Sequence, residues 1–416
     1  MNNVSKRRAF GAIAGFSAIA LAFGTAIPAQ ASATELKIGA VFPLTGALSF
    51  LSAPQVAGFT LAVEEINAAG GVLGKKVSSA ILDEADGTQP TVALASATKH
   101  IANKVDLIIG AASSGRSSTM IAATSAAKVV QISGSNTAIS LTTLKDDGFY
   151  FRTAPSDLLQ GRVLANQVLQ DGASKVAILW QDTPYGVGLN SQAKAVLEKG
   201  KATVESISFP EGETNVTSFV DKALAGKPDA IIIISYAESK RILPALQAKG
   251  FSGGNVYLVD GNLVDYSKDS FAEYLNGAKG TKPAKAVNAK FKSRLEASYK
   301  KSTGKTLTET TYAESVYDAV ILGALAAQAA KSATGTGIKS QLTNVSRAGA
   351  GKVKVTSYAA GLKALQAGKQ INYDGQSGTI EFDRTGDPTG AFIGIFRYSA
   401  DGQNKLVRSI LGSTVK

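Results

Sequence analysis

The sequence predicts an α/β protein with two parallel sheets, and three observations lead there. Short apolar runs alternate with helical patterns from one end of the chain to the other. Several of these runs are apolar at consecutive positions, as strands covered on both faces are. They also fall into two series, and 416 residues of 44% hydrophobic content suffice for two domains, since a single core rarely grows past about 250–300 residues.

The first series reads "LKIGAVF" (36–42), "VSSAILD" (77–83), "VDLIIG" (105–110) and "VVQIS" (129–133), its units filling residues 36 to 150. Between the first two lies "PQVAGFTLAVEEINAAGG" (54–71), where Val56, Phe59, Val63 and Ile66 share one helical face and Gly70-Gly71 stop the helix. After "FYFRTAPSD" the second series runs through "KVAILW" (175–180), "ATVESISF" (202–209), "DAIIIIS" (229–235) and "NVYLVD" (255–260). Strand–helix–strand repetition of this kind implies parallel pairing with right-handed crossovers. A polar segment rich in Lys, Gly and Pro (276–286) follows, then two long helical patterns (286–301 and 311–331). The alternation and turns of "GTIEFDRTGDPTGAFIGIFRYSADG" (378–402) predict antiparallel strands.

The first residues differ in kind. Lys6, Arg7 and Arg8 precede an apolar run from Ala9 to Ile27 and an Ala29-x-Ala31 site, the pattern of a cleaved signal peptide over residues 1–31. The paired arginines also fit a twin-arginine signal, but Lys6 stands where such signals carry Ser or Thr, which favours the general secretory route. The chain has no cysteine, hence neither disulfides nor the acylated cysteine of a bacterial lipoprotein, and the mature protein is expected free in a periplasm. Loss of the three basic signal residues would lower the formal charge from +12 to +9. Lys and Arg are spread over helices without aromatic interleaving, so the excess reads as a solvated surface and no nucleic-acid partner is expected.

Ligands of open parallel sheets sit beyond the carboxyl ends of the strands, where loops lead into helix N-termini. Three such loops are rich in small hydroxyl residues: "PLTGALSF" after the first strand, "AASSGRSST" after the third and "GSNTAIS" after the fourth. Helix N-termini suit anions, and two adjacent loops of this type favour a shared anion site over ordinary caps. Phosphate fits poorly, because no G-x-x-x-x-G-K-[ST] occurs and both "AGAGKV" (348–353) and "TGTGIK" (334–339) read as loops. There is no G-x-S-x-G elbow, and the single histidine, His100, reads as a surface residue of a helix. Triads and most metal sites therefore lack their usual ligands, and no catalytic, metal or cofactor site is expected. Asp83 and Glu84 are neighbours on a strand and point to opposite faces, which argues against a shared acid–base site.

In the second series, Tyr185 of "DTPYGVGL" and Tyr236 of "IISYAESK" each follow a strand, where a ring can cover a ligand and its hydroxyl bond to it. Asp260 of "YLVDGN" ends another strand, placed either to neutralise an ammonium or to form an Asp-Gly turn. Hydroxyls and helix N-termini in one half, with tyrosines and an acid in the other, suit a zwitterion held between two lobes.

The stretch "LKIGAVFPLTGALSFLSAPQVAGFTLAVEEINAAGGVLGKKV" resembles the opening of the periplasmic substrate-binding proteins of branched-chain amino acid ABC transporters, the type I, leucine/isoleucine/valine-binding class. "FRTAPSDLLQG", "DTPYGVGL" and "FDRTGDPTGAF" resemble later parts of the same family. The resemblance implies two Rossmann-like α/β lobes with parallel sheets joined by three crossovers, near Arg152–Pro155, Thr281–Pro283 and Pro388–Ala391. Residues 35–153 and 283–388 would form the first lobe, and 154–282 and 389–416 the second. It further implies a ligand α-carboxylate held by Ser114 and Thr137, with Ser135 offering its backbone carbonyl to the ammonium; Ser114 and Ser133 keep the family's spacing. From the second lobe Tyr185 and Tyr236 would close over the ligand and Asp260 would meet the ammonium, at a position where the family often carries Glu. An aromatic ring commonly lines the side-chain pocket from the first loop; here Leu51 occupies the aligned position with Phe50 beside it. Arg116 stands where small hydroxyl residues are usual, facing either solvent or ligand. The expected protein is a non-enzymatic, monomeric, leucine-type solute-binding protein that delivers a branched-chain or other apolar amino acid to an ABC permease in the cytoplasmic membrane. The alternatives are a short amide, urea or aromatic acid in the same cleft, or a ligand sensor for a membrane receptor.

Overall fold

The computed structural model describes residues 35–286 and 288–413, so the signal-type segment lies outside the described residues. Five strands, β1 (Lys37–Phe42), β2 (Ser78–Asp83), β3 (Leu107–Gly110), β4 (Val130–Ser133) and β5 (Tyr150–Arg152), form a sheet in the order β2-β1-β3-β4-β5 with every pair parallel. The helices between them are α1 (Ser52–Ala68), α2 (Val92–Ala102) and α3 (Ser114–Ala126). Ala93, Ala97 and Met120 of α2 and α3 pack on Val41 and Ile108 at one face. Phe59 and Ile66 of α1 close the other over Ile38 and Ile109.

The chain then continues as α4 (Asp157–Gln170), β6 (Lys175–Gln181), α5 (Pro184–Lys199), β7 (Thr203–Phe209), α6 (Thr217–Ala225), β8 (Ala230–Ile234), α7 (Ser239–Ala248), β9 (Val256–Val259) and β10 (Lys279–Pro283). Strand β8, "AIIII", is buried throughout, with Ile232 and Ile234 in one core and Ile231 and Ile233 in another, which is why it reads as an unbroken apolar run. Next come α8 (Ala289–Thr303), α9 (Ala313–Ala330), α10 (Gly335–Ser346), β11 (Val353–Val355), α11 (Tyr358–Gln366) and β12 (Ile371–Tyr373), the last strand pairing with β11. Strands β13 (Gly390–Tyr398) and β14 (Asn404–Ser413) complete a seven-stranded sheet, β14-β13-β10-β9-β8-β6-β7, in which β13 is antiparallel to both neighbours. The run β7-β6-β8-β9-β10 thus repeats the strand order of the first sheet. Each sheet has a switch point, between β1 and β3 and between β6 and β8, where loops diverge to opposite faces and leave a crevice.

The lobes exchange helices at their junction. Helix α4 follows β5 of the first sheet but packs on α5 and β10, whereas α8 follows β10 but packs on α1. Arg152, wholly buried at the end of β5, makes two 2.6 Å bonds to Asp387 and donates to the Ala138 carbonyl and the Thr142 hydroxyl at 2.8 Å. That bidentate pair ties the first passage between the lobes to the third.

Several expectations change. The polar segment 276–286 contains β10, in the interior of the second sheet. Its lysines are tolerated because Lys279 reaches Asp171 at 2.6 Å and Lys282 donates to Thr311 at 2.7 Å and lies over the Phe396 ring. "TGTGIK" is no loop: Thr334 caps α10 by accepting from the Gly337 N–H. "AGAGKV" is a turn whose last residue begins β11. His100 is buried, not on the surface: its ring lies where a Cβ on Gly39 would come within 2.7 Å, and its Nε2 meets the Ala40 carbonyl at 3.0 Å. Burial lowers its pKa and keeps it neutral. Within 378–402 only β13 is a strand; the residues before it carry isolated bridges. Among the described residues no helix is long and apolar enough to cross a membrane.

Candidate functional site

The loops at the two switch points face one another across a cleft. Between them the lobes leave about 20 Å³, lined by Leu48, Leu51, Ala112, Ser114, Ser135 and Thr137 from one side. Tyr185, Tyr236, Asp260 and Gly261 line the other, with Tyr312 from the segment leading into α9. Phe50 is half-buried and packs against the same apolar cluster, but Leu48 and Leu51 hold the lining positions.

The hydroxyl side is built around the end of β3. Gly110 has φ +118°, and a Cβ there would come within 2.1 Å of the Val41 carbonyl, so only glycine lets the chain turn against β1. Ser113 then stands at the N-cap position of α3 without a side-chain capping bond, and Ser114 opens the helix. The Ser114 hydroxyl accepts from the Ala138 N–H at 3.3 Å, which leaves its own proton to donate. Ser133 braces the turn, donating to the Ala111 carbonyl and accepting from the Asn136 N–H. The Ser135 hydroxyl is engaged by Gln55 and the Ala112 carbonyl. Beneath the turn Glu84, fully buried, accepts from the N–H groups of Ala112 and Ser113 at 2.5 and 3.0 Å. Burial pushes its pKa up to about 8 despite those bonds.

The acidic side has more members than the sequence showed. Asp260 accepts from Tyr185 at 2.7 Å, Gln160 at 2.8 Å and Tyr312 at 2.6 Å. The Tyr185 ring stacks on Tyr236 with centroids 5.5 Å apart and planes 14° from parallel. Asp157, the first residue of α4, lies wholly buried close to Asp260, and neither of its carboxylate oxygens has a hydrogen bond of good geometry, although the Thr137 hydroxyl approaches it. Burial, then repulsion from Asp260, pushes Asp157 well above the usual carboxylate range, and burial likewise raises Asp260 against its three donors. No basic side chain lines the cavity, and Arg152, which lowers Asp157, is committed to Asp387. Asp157 sits inside "FRTAPSDLLQG" but reads there as an ordinary first-turn acid. Gln160 and Tyr312 carried no local signal.

Arg116 points to neither bulk solvent nor ligand. Its guanidinium lies 3.9 Å from Glu211 and 3.5 Å from the Asp86 carbonyl, and Glu211 also accepts from the Gly87 N–H at 3.0 Å. These bonds join the β2 side of the first lobe to the loop after β7 in the second. Among the described residues no cluster of His, Asp and Glu could hold a metal ion.

The arrangement offers hydroxyl donors at a helix N-terminus on one wall and Asp260, backed by the buried Asp157, on the other. Comparison with known proteins identifies the family. The chemotactic signal transduction substrate-binding protein BasB of Halobacterium salinarum is 27% identical over 368 residues, covering 86% of this chain and 85% of its own. Leu/Ile/Val-binding protein homolog 3 of Brucella melitensis is 26% identical, with 90% and 94% covered. A solute-binding protein of R. palustris, solved in complex with 4-hydroxybenzoate, superposes with a TM-score of 0.75 over 91% of this chain and 97% of its own at 17% identity, a likeness of fold. The family described as periplasmic binding protein matches residues 35–383, and the chain belongs to it.

Proposed function

We propose that this protein is the exported solute-binding component of an ABC transporter, closing its lobes over a small aliphatic amino acid and passing it to a permease. The observation that carries the reading is the Asp157–Asp260 pair, two neighbouring buried acids of which Asp260 lines a cavity without a basic side chain. A ligand ammonium supplies the missing positive charge, while Ser114, Thr137 and the α3 N-terminus receive its carboxylate. Leu48, Leu51 and Ala112 offer an apolar wall to a short side chain, and the stacked tyrosines cover it. A single water needs roughly 10–15 Å³, so an amino acid enters only when the lobes part at the passages, hinge closure of the kind known for periplasmic binding proteins. Closure then strengthens each charged hydrogen bond by excluding water. Export by a cleaved signal and a monomeric, non-enzymatic mode of action complete the proposal.

Thermal unfolding against a panel of leucine, alanine, urea and 4-hydroxybenzoate tests it. At a hundred times its Kd a ligand stabilises by about 2.7 kcal/mol, and amino acids are expected to lead. If urea stabilises more than any amino acid, or if 4-hydroxybenzoate does so and is displaced by leucine, the ammonium site is wrong. The likeness to BasB supports a second reading, a sensor presented to a membrane receptor. Ligand uptake by proteoliposomes holding the cognate permease, dependent on this protein, separates the two.

A further inference from the structure

A larger cavity lies outside the cleft. About 260 Å³ opens where the three passages between the lobes meet, with Thr153, Lys282, Lys285, Pro388 and Phe392 among its walls. Tyr312 is the residue common to its lining and to that of the cleft, where its phenol holds Asp260. The walls are amphipathic: Ile380, Phe396 and Leu406 give an apolar floor, and Lys282, Lys285 and Glu314 give charge. Lys282 is balanced by Glu309, whose pKa it helps to hold down. Lys285 has no ion pair among the described residues, and burial pushes the neighbouring Glu314 up to about 7. While Glu314 holds its proton, the cavity therefore carries more positive than negative charge, with Lys285 as its unpaired ammonium.

We propose that this cavity is a second ligand site, taking a small monocarboxylate with an apolar or aromatic body, and that its occupant alters the affinity of the cleft through Tyr312. A space walled by all three passages changes shape whenever the lobes hinge, so anything filling it favours one hinge angle. Coupling of this kind is reciprocal.

Isothermal titration of the mature chain, with benzoate as probe and leucine as cleft ligand, tests the site. Benzoate is expected to bind with leucine saturating and to shift leucine's Kd about fivefold or more, leucine shifting benzoate's by the same factor. Lys285→Ala should weaken benzoate about tenfold and leave leucine's Kd without benzoate unchanged. Tyr312→Phe should bring the coupling factor toward one, whatever it does to leucine's own affinity. Displacement of benzoate by leucine, benzoate binding indifferent to Lys285→Ala, or no binding at millimolar benzoate would each overturn the proposal. Should leucine fail to bind, the benzoate titration and its Lys285→Ala control still decide this site, so the two readings fail separately.

Discussion

The two lobes share a strand order and differ in what their loops carry. In each, the crevice falls between the strands where the sheet changes direction, β1 and β3 in one and β6 and β8 in the other. Around the first crevice the chain places serines, threonines and the start of α3; around the second it places Tyr185, Tyr236 and the end of β9 with Asp260. Topology thus decides where a ligand can sit, and loop chemistry decides which end of it each lobe holds. Two walls of opposite character orient a zwitterion in a way that two identical walls would not.

Five measurements test that contrast. Arg152→Met leaves Asp387 buried without its partner and acts on the junction that both lobes share. A loss of about 3–5 kcal/mol of stability is expected from denaturant unfolding, and a loss under about 1 kcal/mol would show that the passages do not depend on this pair. Asp260→Asn strikes the acidic wall alone: amino acids should bind about 2–5 kcal/mol more weakly, while acids without an ammonium change little. Equal losses for both classes would remove Asp260 from the ammonium site.

Ser114→Ala strikes the hydroxyl wall. A lost hydrogen bond to a charged group is worth about 1.5–3 kcal/mol, and here amino acids and simple acids should suffer alike in a direct titration. The pH dependence separates the walls again. Asp157 and Asp260 have folded-state pKa values above those of the unfolded chain, so the folded protein holds more protons than the unfolded one between the ordinary carboxylate range and the raised values. Stability without ligand therefore falls as pH rises through that window. An ammonium favours the ionised acids, so ligand binding expels a proton and tightens with rising pH, by up to about tenfold per unit for one proton. Calorimetry in two buffers of different ionisation enthalpy reads that proton directly; none released would mean the acids are ionised throughout. The smallest effect belongs to Arg116→Ala, whose contact with Glu211 crosses between the lobes at 3.9 Å. About 0.2–1 kcal/mol is expected, seen in stopped flow as faster ligand release, and an unchanged rate would leave Arg116 without a part in closure.

What the sequence made legible follows from range. Runs such as "AIIII" and the Gly110 turn declare themselves locally, because burial on both faces and a required positive φ leave marks on consecutive residues. Tyr185, Tyr236 and Asp260 were readable because each ends or follows a strand, whereas Ser114 and Thr137 were singled out from their hydroxyl-rich loops only by the family resemblance. Asp157 and Gln160 reach Asp260 from α4 and Tyr312 reaches it from the segment before α9, and their arrival depends on how the passages cross. His100 misled for a related reason: a buried imidazole over Gly39 is satisfied by the Ala40 carbonyl far along the chain. Strand β10 escaped notice because its lysines carry their charges past the sheet to Asp171 and Thr311.

The exchange of helices at the junction bears on how the protein is made. The core of the first lobe is filled from Val316 to Ala327 of α9, a segment synthesised only after β6 to β10 have emerged. On the ribosome, β1 to β5 must wait with one apolar face only partly covered, by α1, while the strands of the other lobe are translated. Contacts of such long sequence separation slow folding and leave sticky intermediates, so a holding chaperone is more useful to this chain than to one whose domains are contiguous. Severing it at the second passage would yield two fragments, neither carrying a complete core.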